Sequence, residues 1–352
     1  MPEKRSHANI PVFIPHLGCP NDCVFCDQRT ISGQMSFDES SVKRTIDASL
    51  ETMGERACEI AFFGGSFTGI DRALMVRLLD TAQKYVDSGR AVGIRMSTRP
   101  DYITSDIINI IGKYTLSEVE LGVQSMSDSV LALSRRGHTS DDTRRACRLL
   151  REAGIPFGGQ MMIGLPGSTA ADEVNTAREI CLMGAVSCRI YPTIVLRGTC
   201  LEVMTERGEY FPLTLEDAVS RAASVLEVFT ENGVNCLRIG LQDSDELRDP
   251  KRYHSGPRHP AIGEMVRGEV MCRRIDSALA LLGKAREAVV YVPRGKISMA
   301  VGVSGRNKKY FAEKYEGIKI KFKEDPALTG YEVRVNAQDT GKQQKEASEA
   351  CI

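Results

Sequence analysis

The chain has 352 residues, of which 42% are hydrophobic and 26% are charged, and its formal net charge at pH 7 is zero. This length predicts about two domains of roughly 150 residues each, and the composition excludes a disordered or fibrous protein. No apolar run reaches the roughly 18 residues of a transmembrane helix, so no membrane partner is expected, and the first fifteen residues lack the apolar stretch of a signal peptide.

Short β-branched segments alternate with helix-like segments over the first 195 residues. The predicted strands are 9–14, 59–63, 92–97, 118–123, 157–164 and 189–195. The predicted helices lie near 39–53, 71–87, 103–113, 127–135, 140–153 and 170–184. Strands separated by helices form βαβ units and a parallel sheet. Right-handed crossovers wind six such units into either an open doubly wound sheet or a partial barrel, and periodicity does not decide between the two.

The pattern changes after residue 215. A helix-like stretch at 215–233 precedes a strand-like stretch at 235–241, and the next twenty residues, rich in charge, Gly and Pro, read as a loop. The polar segment 336–352 is expected to be a flexible tail. The predicted domains are therefore a core at 1–215, a connecting helix, strand and loop at 216–260, and a smaller module at 261–335.

Three cysteines, Cys19, Cys23 and Cys26, follow the first predicted strand in C-x3-C-x2-C spacing. Cys23 and Cys26 alone fit a C-x-x-C redox pair, and His16 with all three fits a Cys3His zinc site. A third interpretation is an iron–sulfur cluster, which usually takes four thiolates, so that three leave one iron open. The eleven cysteines of this chain favour a reducing cytoplasm and metal-binding or catalytic thiols over disulfides.

The spacing of these cysteines resembles the signature of the radical S-adenosylmethionine (radical SAM) superfamily. The resemblance implies a [4Fe–4S] cluster on the three cysteines, with S-adenosylmethionine on the fourth iron and Phe25 beside its adenine. It also implies reductive cleavage of S-adenosylmethionine to a 5′-deoxyadenosyl radical, with an electron from flavodoxin or ferredoxin. The expected fold is α/β, a partial (β/α)6 TIM-like barrel of radical SAM type.

Four further stretches resemble, in order, motifs of the elongator catalytic subunit family and, more loosely, of oxygen-independent coproporphyrinogen oxidases. They are STRPDYI (97–103), LGVQSMSDSVLALSRRGHT (121–139), MMIGLPGST (161–169) and RIYPTIVLRGTCL (189–201). The elongator family continues into an acetyltransferase domain, for which this chain has no matching sequence.

The resemblance assigns cofactor contacts to several residues. It implies that the turn Gly64-Gly65-Ser66 holds the methionine moiety and that Gln124 and Arg136 contact the cofactor. This chain has Ser97 where the relatives usually have Glu, and Gln160 where the oxidases have Asp. Neutral hydrogen-bonding residues therefore stand where carboxylates would meet the cofactor's ammonium or ribose hydroxyls.

The segment 288–322 resembles a KH module. It reads as a strand (288–292), a helix (297–300), a G-x-x-G turn, a second helix (307–315) and a strand (318–322). The resemblance implies that RNA, but no DNA, binds at a loop that clamps about four nucleotides. The RNA-binding residues expected from it are Gly302, Gly305, Arg306, Lys308 and Lys309. Nine Lys or Arg against three Glu between Arg294 and Glu324 suit phosphates.

Two further regions hold weaker candidates for ligand-binding residues. Tyr191 and Arg197, on or just beyond the sixth strand, are possible substrate contacts, and a loop holds His254, Arg258 and His259. Most of the eight other cysteines are expected to be small buried residues. A second iron–sulfur cluster on Cys181, Cys188 and Cys200 is the alternative. The leading hypothesis is a radical SAM enzyme acting on tRNA or rRNA. The alternatives are a radical SAM enzyme for a small molecule such as a tetrapyrrole, and a cluster-containing redox-sensing RNA-binding protein.

Overall fold

The structure is a computed structural model that describes residues 8–14, 17–19, 23–27, 31, 36–54, 56–241, 248–282, 285–338 and 350–351. His16, the loop residues 242–247 and the tail residues 339–349 and 352 lie outside the described part. The chain divides into two compact units. The first consists of Met1–Thr214 and Val228–Arg258, and the second of Leu215–Glu227 and His259–Ile352. No described helix is long and apolar enough to cross a membrane.

The first unit is built on a parallel sheet. Its strands are β1 (Ala8–Phe13), β2 (Cys58–Phe63), β3 (Gly93–Thr98), β4 (Leu116–Gln124), β5 (Phe157–Ile163), β6 (Ser187–Pro192), β7 (Val195–Leu196), β8 (Asn235–Ile239) and β9 (Tyr253–Ser255). Seven of these strands pair in the order β1-β2-β3-β4-β5-β6-β8, and every neighbouring pair is parallel. β7 and β9 form a separate antiparallel pair.

Helices connect these strands. They are α1 (Ser41–Met53), α2 (Arg72–Asp87), α3 (Ser105–Ile111), α4 (Asp128–Leu133), α5 (Ser140–Glu152), α6 (Ala170–Leu182), α7 (Cys200–Glu206) and α8 (Leu215–Glu231). α5 and α6 both begin with a capping box, in which Thr139 pairs with Asp142 and Thr169 with Asp172. These reciprocal hydrogen bonds satisfy backbone N–H groups that a helix start leaves free.

The strand order decides between the two topologies that the sequence left open. A doubly wound sheet reverses its strand order at a switch point. Here the order follows the chain without reversal, so crossovers of one hand place their helices on the same face of the sheet. Because β1 and β8 do not pair with each other, the sheet is an open part of a barrel. The predicted partial barrel is confirmed.

Side chains alternate between the two faces of the barrel strands. In β4, Val119 and Leu121 are buried on one face while Glu118 and Glu120 lie on the other. The same alternation separates Ile94 and Met96 from Arg95 and Ser97 in β3, and Ile190 from Arg189 and Tyr191 in β6. The face towards the helices is therefore apolar, whereas the concave face carries charged and polar groups.

Three boundaries differ from the sequence prediction. The sixth strand, predicted to reach residue 195, ends at Pro192, because Val195 and Leu196 pair instead with β9. β9 itself lies in the segment predicted as a loop. The strand placed in the connecting segment, β8, is the seventh barrel strand. These differences depend on pairing partners that are distant in the chain.

The second unit is a small α/β fold. Its helices are α9 (Ile262–Ala280), α10 (Ile297–Val301) and α11 (Arg306–Lys314), and its strands are β10 (Glu287–Val292), β11 (Lys319–Glu324), β12 (Arg334–Gln338) and β13 (Ala350–Cys351). The sheet order is β11-β10-β12-β13, with β10 parallel to β11 and antiparallel to β12. The predicted strand–helix–turn–helix–strand order is present. The segment predicted as a tail contributes residues 336–338 of β12 and all of β13, which pairs with Arg334 and Val335 at the start of β12.

Candidate active site at the open end of the barrel

A cavity of about 630 Å³ lies on the concave side of the first unit. It is within the size range of small-molecule and cofactor sites. Eight of the residues singled out in the sequence line it, namely Phe25, Cys26, Gly64, Gly65, Ser97, Gln124, Gln160 and Tyr191. Strand residues on the concave face, including Asn9, Met162, Arg189 and Arg238, complete the wall.

The cysteine loop is fixed to its surroundings by backbone hydrogen bonds. The N–H of Val24 donates to the carbonyl of Ser134 at 3.2 Å, and the N–H of Leu201 donates to the carbonyl of Val24 at 2.7 Å. The N–H of Cys26 closes a turn on the carbonyl of Cys23 at 3.0 Å. Val24 is buried in an apolar cluster that Phe25 also contacts. Phe25 and Cys26 therefore reach the cavity from an anchored backbone.

Two glycines let the cysteine loop interlock with the turn after β2. A Cβ on Gly65 would stand 2.3 Å from the carbonyl oxygen of Leu17, and one on Gly18 would stand 2.2 Å from that of Ser66. The N–H of Ser66 donates to the Leu17 carbonyl at 2.9 Å. The hydroxyl of Ser66 accepts from the N–H of Arg99 at 3.1 Å. In this turn Gly64 and Gly65 line the cavity, while Ser66 is fully buried beneath it.

Ser97 and Gln160 contact each other and share a buried carboxylate. The Nε2 of Gln160 donates to the hydroxyl of Ser97 at 3.1 Å and to Glu120 Oε2 at 2.8 Å. Arg189 donates to both oxygens of Glu120, from Nε at 2.6 Å and from Nη2 at 2.9 Å. Both amide hydrogens of Gln160 are used, so the group that this side chain can still offer the cavity is the acceptor Oε1.

Glu120 and Arg189 belong to the candidate site, and the sequence interpretation did not name them. The charged residues at alternate positions of buried strands were the available signal, since such charges are rarely buried unless paired. Burial opposes ionisation of Glu120, but the hydrogen bonds and charge of Arg189 hold its pKa below the ordinary value. The pair thus stays ionised and fixes the orientation of the Gln160 amide.

The ion pairs continue towards the other end of the barrel. Arg95 contacts Glu59 at 2.7 Å, Glu118 at 2.8 Å and Glu120 at 3.2 Å. With Arg189, the group contains three carboxylates and two guanidinium groups, all at most about a tenth exposed. Burial raises the pKa of Glu118, which hydrogen bonds to Ser187, although Ser187 and Arg95 oppose this shift. Of the two carboxyl groups on β4, Glu118 therefore binds a proton more readily than Glu120.

Gln124 has an unusual backbone. It lies at a register shift between β4 and β5 and has a φ of 64°. A left-handed conformation is uncommon for a residue other than glycine, and it clusters at functional sites. Its Oε1 is buried without a hydrogen-bond partner in the structure. A buried polar atom beside a cavity is satisfied by a donor that a ligand brings.

Arg136 and Arg99 lie on the cysteine side of the site and do not line the cavity. Arg136 donates from Nη2 to the Gly122 carbonyl at 2.8 Å, and its Nη1 lies 3.4 Å from Cys23 Sγ. Burial raises the pKa of the Cys19 thiol, while the charges of Arg136 and Arg99 oppose that shift. The cysteine loop is therefore held in a positive electrostatic environment.

The arrangement of the cysteines does not resemble a zinc site. Within the described residues, one group of three His, Cys, Asp or Glu residues brings its ligand atoms within 4.8 Å of one another, and it consists of Glu202, Glu206 and His254. Tetrahedral zinc would hold its thiolates roughly 4 Å apart, given Zn–S bonds of about 2.3 Å. Cys19, Cys23 and Cys26 do not meet that condition in the described structure. Cys181, Cys188 and Cys200, considered for a second cluster, differ in burial, with Cys188 buried and Cys200 exposed.

Other sequence candidates lie elsewhere. Arg197 is 48% exposed and pairs with Glu202 at 3.0 Å, outside the lining of the cavity. The boundary between the units falls between Arg258 and His259, so the loop histidines and arginine belong to different units.

In the second unit, the G-x-x-G turn adjoins a cavity of about 200 Å³. Gly302, Ser304 and Gly305 have φ values of 79°, 54° and 75°. Asn307 is buried below the turn, and its amide donates to the carbonyl of Gly268 at 2.8 Å. Arg306, Lys308 and Lys309 are exposed at the start of α11.

An open parallel barrel with a cysteine loop and a polar cavity at one end has the architecture of an α/β-barrel enzyme. Residues 13–180 match the radical SAM superfamily, and residues 186–271 match the radical SAM C-terminal domain. The chain belongs to the radical SAM superfamily. The enzymes of this superfamily use a [4Fe–4S] cluster and S-adenosylmethionine.

Two curated proteins and one solved structure are similar to this chain. An uncharacterised protein of Methanocaldococcus jannaschii is 29% identical over 237 residues, which cover 64% of this chain and 72% of the relative. A tRNA uridine(34) acetyltransferase of Methanocaldococcus infernus is 32% identical over 246 residues, covering 59% of this chain and 46% of the relative. The structure of Methanocaldococcus infernus Elp3 lacking residues 1–46 superposes with a TM-score of 0.61 at 26% identity, covering 76% of this chain and 63% of that one.

The residues present fit the cofactors of the superfamily. Cysteine thiolates are the usual ligands of iron–sulfur clusters, and of the three cysteines Cys26 opens onto the cavity. Gln124 presents an unsatisfied buried acceptor, and Gln160 an oriented one. Both acceptors would receive hydrogen bonds from ammonium or hydroxyl groups, which S-adenosylmethionine carries.

Proposed function

We propose that this chain binds a [4Fe–4S] cluster through Cys19, Cys23 and Cys26 and cleaves S-adenosylmethionine reductively. The observation that carries the proposal is the anchored cysteine loop, which presents Cys26 to a cavity of about 630 Å³ at the open end of the barrel. When bound, the cluster supplies the electron that splits the sulfonium of S-adenosylmethionine. Flavodoxin or ferredoxin is the proposed source of that electron.

The residues of this chain bind and orient the cofactor. Phe25 offers an apolar ring on the wall of the cavity, beside the cysteines. Gln124 Oε1 and Gln160 Oε1 accept hydrogen bonds from the donors of the cofactor. Glu120, which is paired with Arg189, holds the Gln160 amide at 2.8 Å and fixes its orientation, although Ser97 and Gln160 are neutral. This supports cofactor binding without the carboxylates that relatives have at these two positions.

The first experiment is anaerobic reconstitution with iron and sulfide, followed by dithionite, S-adenosylmethionine and measurement of 5′-deoxyadenosine. We expect product from the wild-type chain and a fall to background, on the order of 100-fold, for Cys23→Ala. Cys200→Ser is the matched control, because Cys200 is an exposed thiol outside the motif. A full cluster that yields no 5′-deoxyadenosine would contradict the proposal and favour the redox-sensing RNA-binding protein.

We further propose that the substrate is RNA, as tRNA or rRNA modification requires. A relative is named a tRNA uridine(34) acetyltransferase, although this chain spans only 46% of its length. The second unit adds a glycine turn with left-handed backbone and three exposed cationic residues at the next helix start. An excess of Lys and Arg near such a turn suits binding to the phosphate backbone, in the manner of a KH loop.

A point mutation in the turn tests RNA binding. Gly302 is unsuitable, because a Cβ there would stand 2.8 Å from Asn307 Cγ and would disturb the fold. Ser304 is exposed, and Asp tolerates its left-handed backbone, so Ser304→Asp places a negative charge in the turn with little strain. Ser277→Asp, on the exposed face of α9, makes the same change elsewhere in the unit.

Binding is measured by gel shift with total tRNA and with rRNA at low salt. We expect Ser304→Asp to weaken binding about tenfold, equivalent to about 1.4 kcal/mol, and Ser277→Asp to leave it unchanged. Equal loss in both variants would indicate a nonspecific charge effect. No measurable affinity for either RNA by the wild-type chain would favour a small-molecule substrate such as a tetrapyrrole.

A further inference from the structure

Arg136 is a buried guanidinium group without a carboxylate partner among the described residues. Its side chain is 8% exposed, and its Nε is buried without a hydrogen-bond partner in the structure. The two hydrogen bonds of this side chain run from Nη2 to the Gly122 carbonyl, at 2.8 Å, and from Nη1 to Cys23 Sγ, at 3.4 Å. Burying a charge is unfavourable unless a charge of opposite sign compensates it. The side-chain atom that the Arg136 guanidinium faces is Cys23 Sγ, a ligand of the proposed cluster.

Arg99 is the internal comparison. It is 2% exposed and also lies near the cysteines, but Asp101 binds it in bidentate fashion at 3.0 and 2.9 Å. The Arg99–Asp101 pair is therefore neutral overall. Arg136 adds a net positive charge beside the cysteine loop, and it directs a donor at one sulfur.

We propose that Arg136 is a positioning residue that acts through Cys23: its hydrogen bond and its charge make the bound cluster easier to reduce. This inference rests on the proposed cluster at Cys19, Cys23 and Cys26. Hydrogen bonds to the sulfurs and net local charge are among the factors that set cluster potentials. Reduction adds one electron and one negative charge to the cluster, so a fixed cation favours the reduced form. The electron comes from the external reductant, and Arg136 itself is neither oxidised nor reduced.

The position of the guanidinium depends on a glycine. A Cβ on Gly122 would stand 2.6 Å from Arg136 Nη2. Gly122→Ala therefore displaces Arg136 without removing its charge. Together with Arg136→Gln and Arg136→Lys, this variant separates the directed hydrogen bond from the charge. Arg148→Gln, at an exposed position on α5, removes a cation elsewhere in the same unit and is the control.

The test is a redox titration of each reconstituted chain, followed by electron paramagnetic resonance, with neither S-adenosylmethionine nor RNA present. We expect Arg136→Gln to lower the ratio of reduced to oxidised cluster at least tenfold at a fixed potential. For a one-electron couple this equals a negative shift of 59 mV. Arg136→Lys and Gly122→Ala should give smaller negative shifts, and Arg148→Gln none.

Two outcomes overturn the inference. The first is a fully loaded Arg136→Gln cluster with the wild-type potential, which would leave the proposed function intact. The second is loss of the cluster in both Arg136→Gln and Arg136→Lys, because Lys keeps the charge and a purely architectural role would then explain the residue. If only Arg136→Gln loses the cluster, a small negative shift in Arg136→Lys supports the inference. A wild-type chain that assembles no cluster refutes the proposed function itself.

Discussion

Replacing Glu120 by Gln should destabilise the first unit by about 3–5 kcal/mol, the usual effect of breaking a buried ion pair. Glu120 is 1% exposed and accepts hydrogen bonds from Arg189 at 2.6 and 2.9 Å and from Gln160 at 2.8 Å, with Arg95 at 3.2 Å. Gln keeps the shape but replaces one acceptor oxygen by an NH2 group. That group then faces guanidinium donors, and two buried cations lose their shared counter-charge.

Glu118→Gln is the matched comparison, two residues earlier on the same strand. The ionised group holds one more carboxylate than guanidinium groups, and burial raises the pKa of Glu118. Neutralising Glu118 removes the surplus charge and retains a hydrogen-bonding group for Ser187. We therefore expect Glu118→Gln to cost about 1 kcal/mol or less, the value of one ordinary hydrogen bond.

The free energy of unfolding is measured by urea titration of the apoprotein at pH 7, followed by far-ultraviolet circular dichroism. The reasoning predicts a difference of at least about 2 kcal/mol between the two variants. Equal losses would refute it, because they would mean that Glu120 and Glu118 carry the same electrostatic weight. A loss below about 1 kcal/mol for Glu120→Gln would do the same.

Two further predictions concern the same unit. Burial lowers the pKa of His138 to about 4. The pKa of histidine in the unfolded chain is roughly 6.5, so at pH values between 6.5 and 4 the unfolded chain binds more protons than the folded chain. The free energy of unfolding therefore falls as pH decreases, by about 2 kcal/mol from pH 8 to pH 5. His138→Asn should flatten this slope in urea titrations, and an unchanged slope would contradict the shift. Gly65→Ala should reduce iron bound after reconstitution about tenfold, on the scale of 1.4 kcal/mol, because its Cβ would meet the Leu17 carbonyl oxygen. Gly268→Ala, whose Cβ makes only ordinary contacts at 3.5 Å or more, should bind iron normally, and equal loss in both would reject the steric explanation.

The strands and helices of the core were predictable because their signals are local. β-branched runs and amphipathic stretches identified six of the barrel strands and the helices between them. Chain order alone did not show that β8 joins the sheet or that Val195 and Leu196 pair with β9. Those pairings bring together residues about 50 positions apart, and no periodicity encodes them.

The site was predictable where its residues share a short motif or a known family pattern. Phe25, Cys26 and the glycines after β2 follow from such motifs, and they meet in one cavity. The pairing of Glu120 with Arg189 does not follow from any motif, because it depends on the positions of β4 and β6 on either side of Gln160 in β5. The contact of Arg136 with Cys23 joins residues 113 positions apart, so no local motif encodes it.

The left-handed backbone of Gln124 has a consequence for the evolution of stability in this chain. A residue with a Cβ in that conformation costs about 1–2 kcal/mol relative to the right-handed one, a penalty that glycine avoids. Gln124→Gly should therefore recover part of that penalty in the apoprotein, up to about 1 kcal/mol after the greater flexibility of unfolded glycine is counted. The same change should weaken binding of S-adenosylmethionine, measured by calorimetry on the reconstituted chain. At such a position the residue type serves ligand binding rather than the stability of the fold.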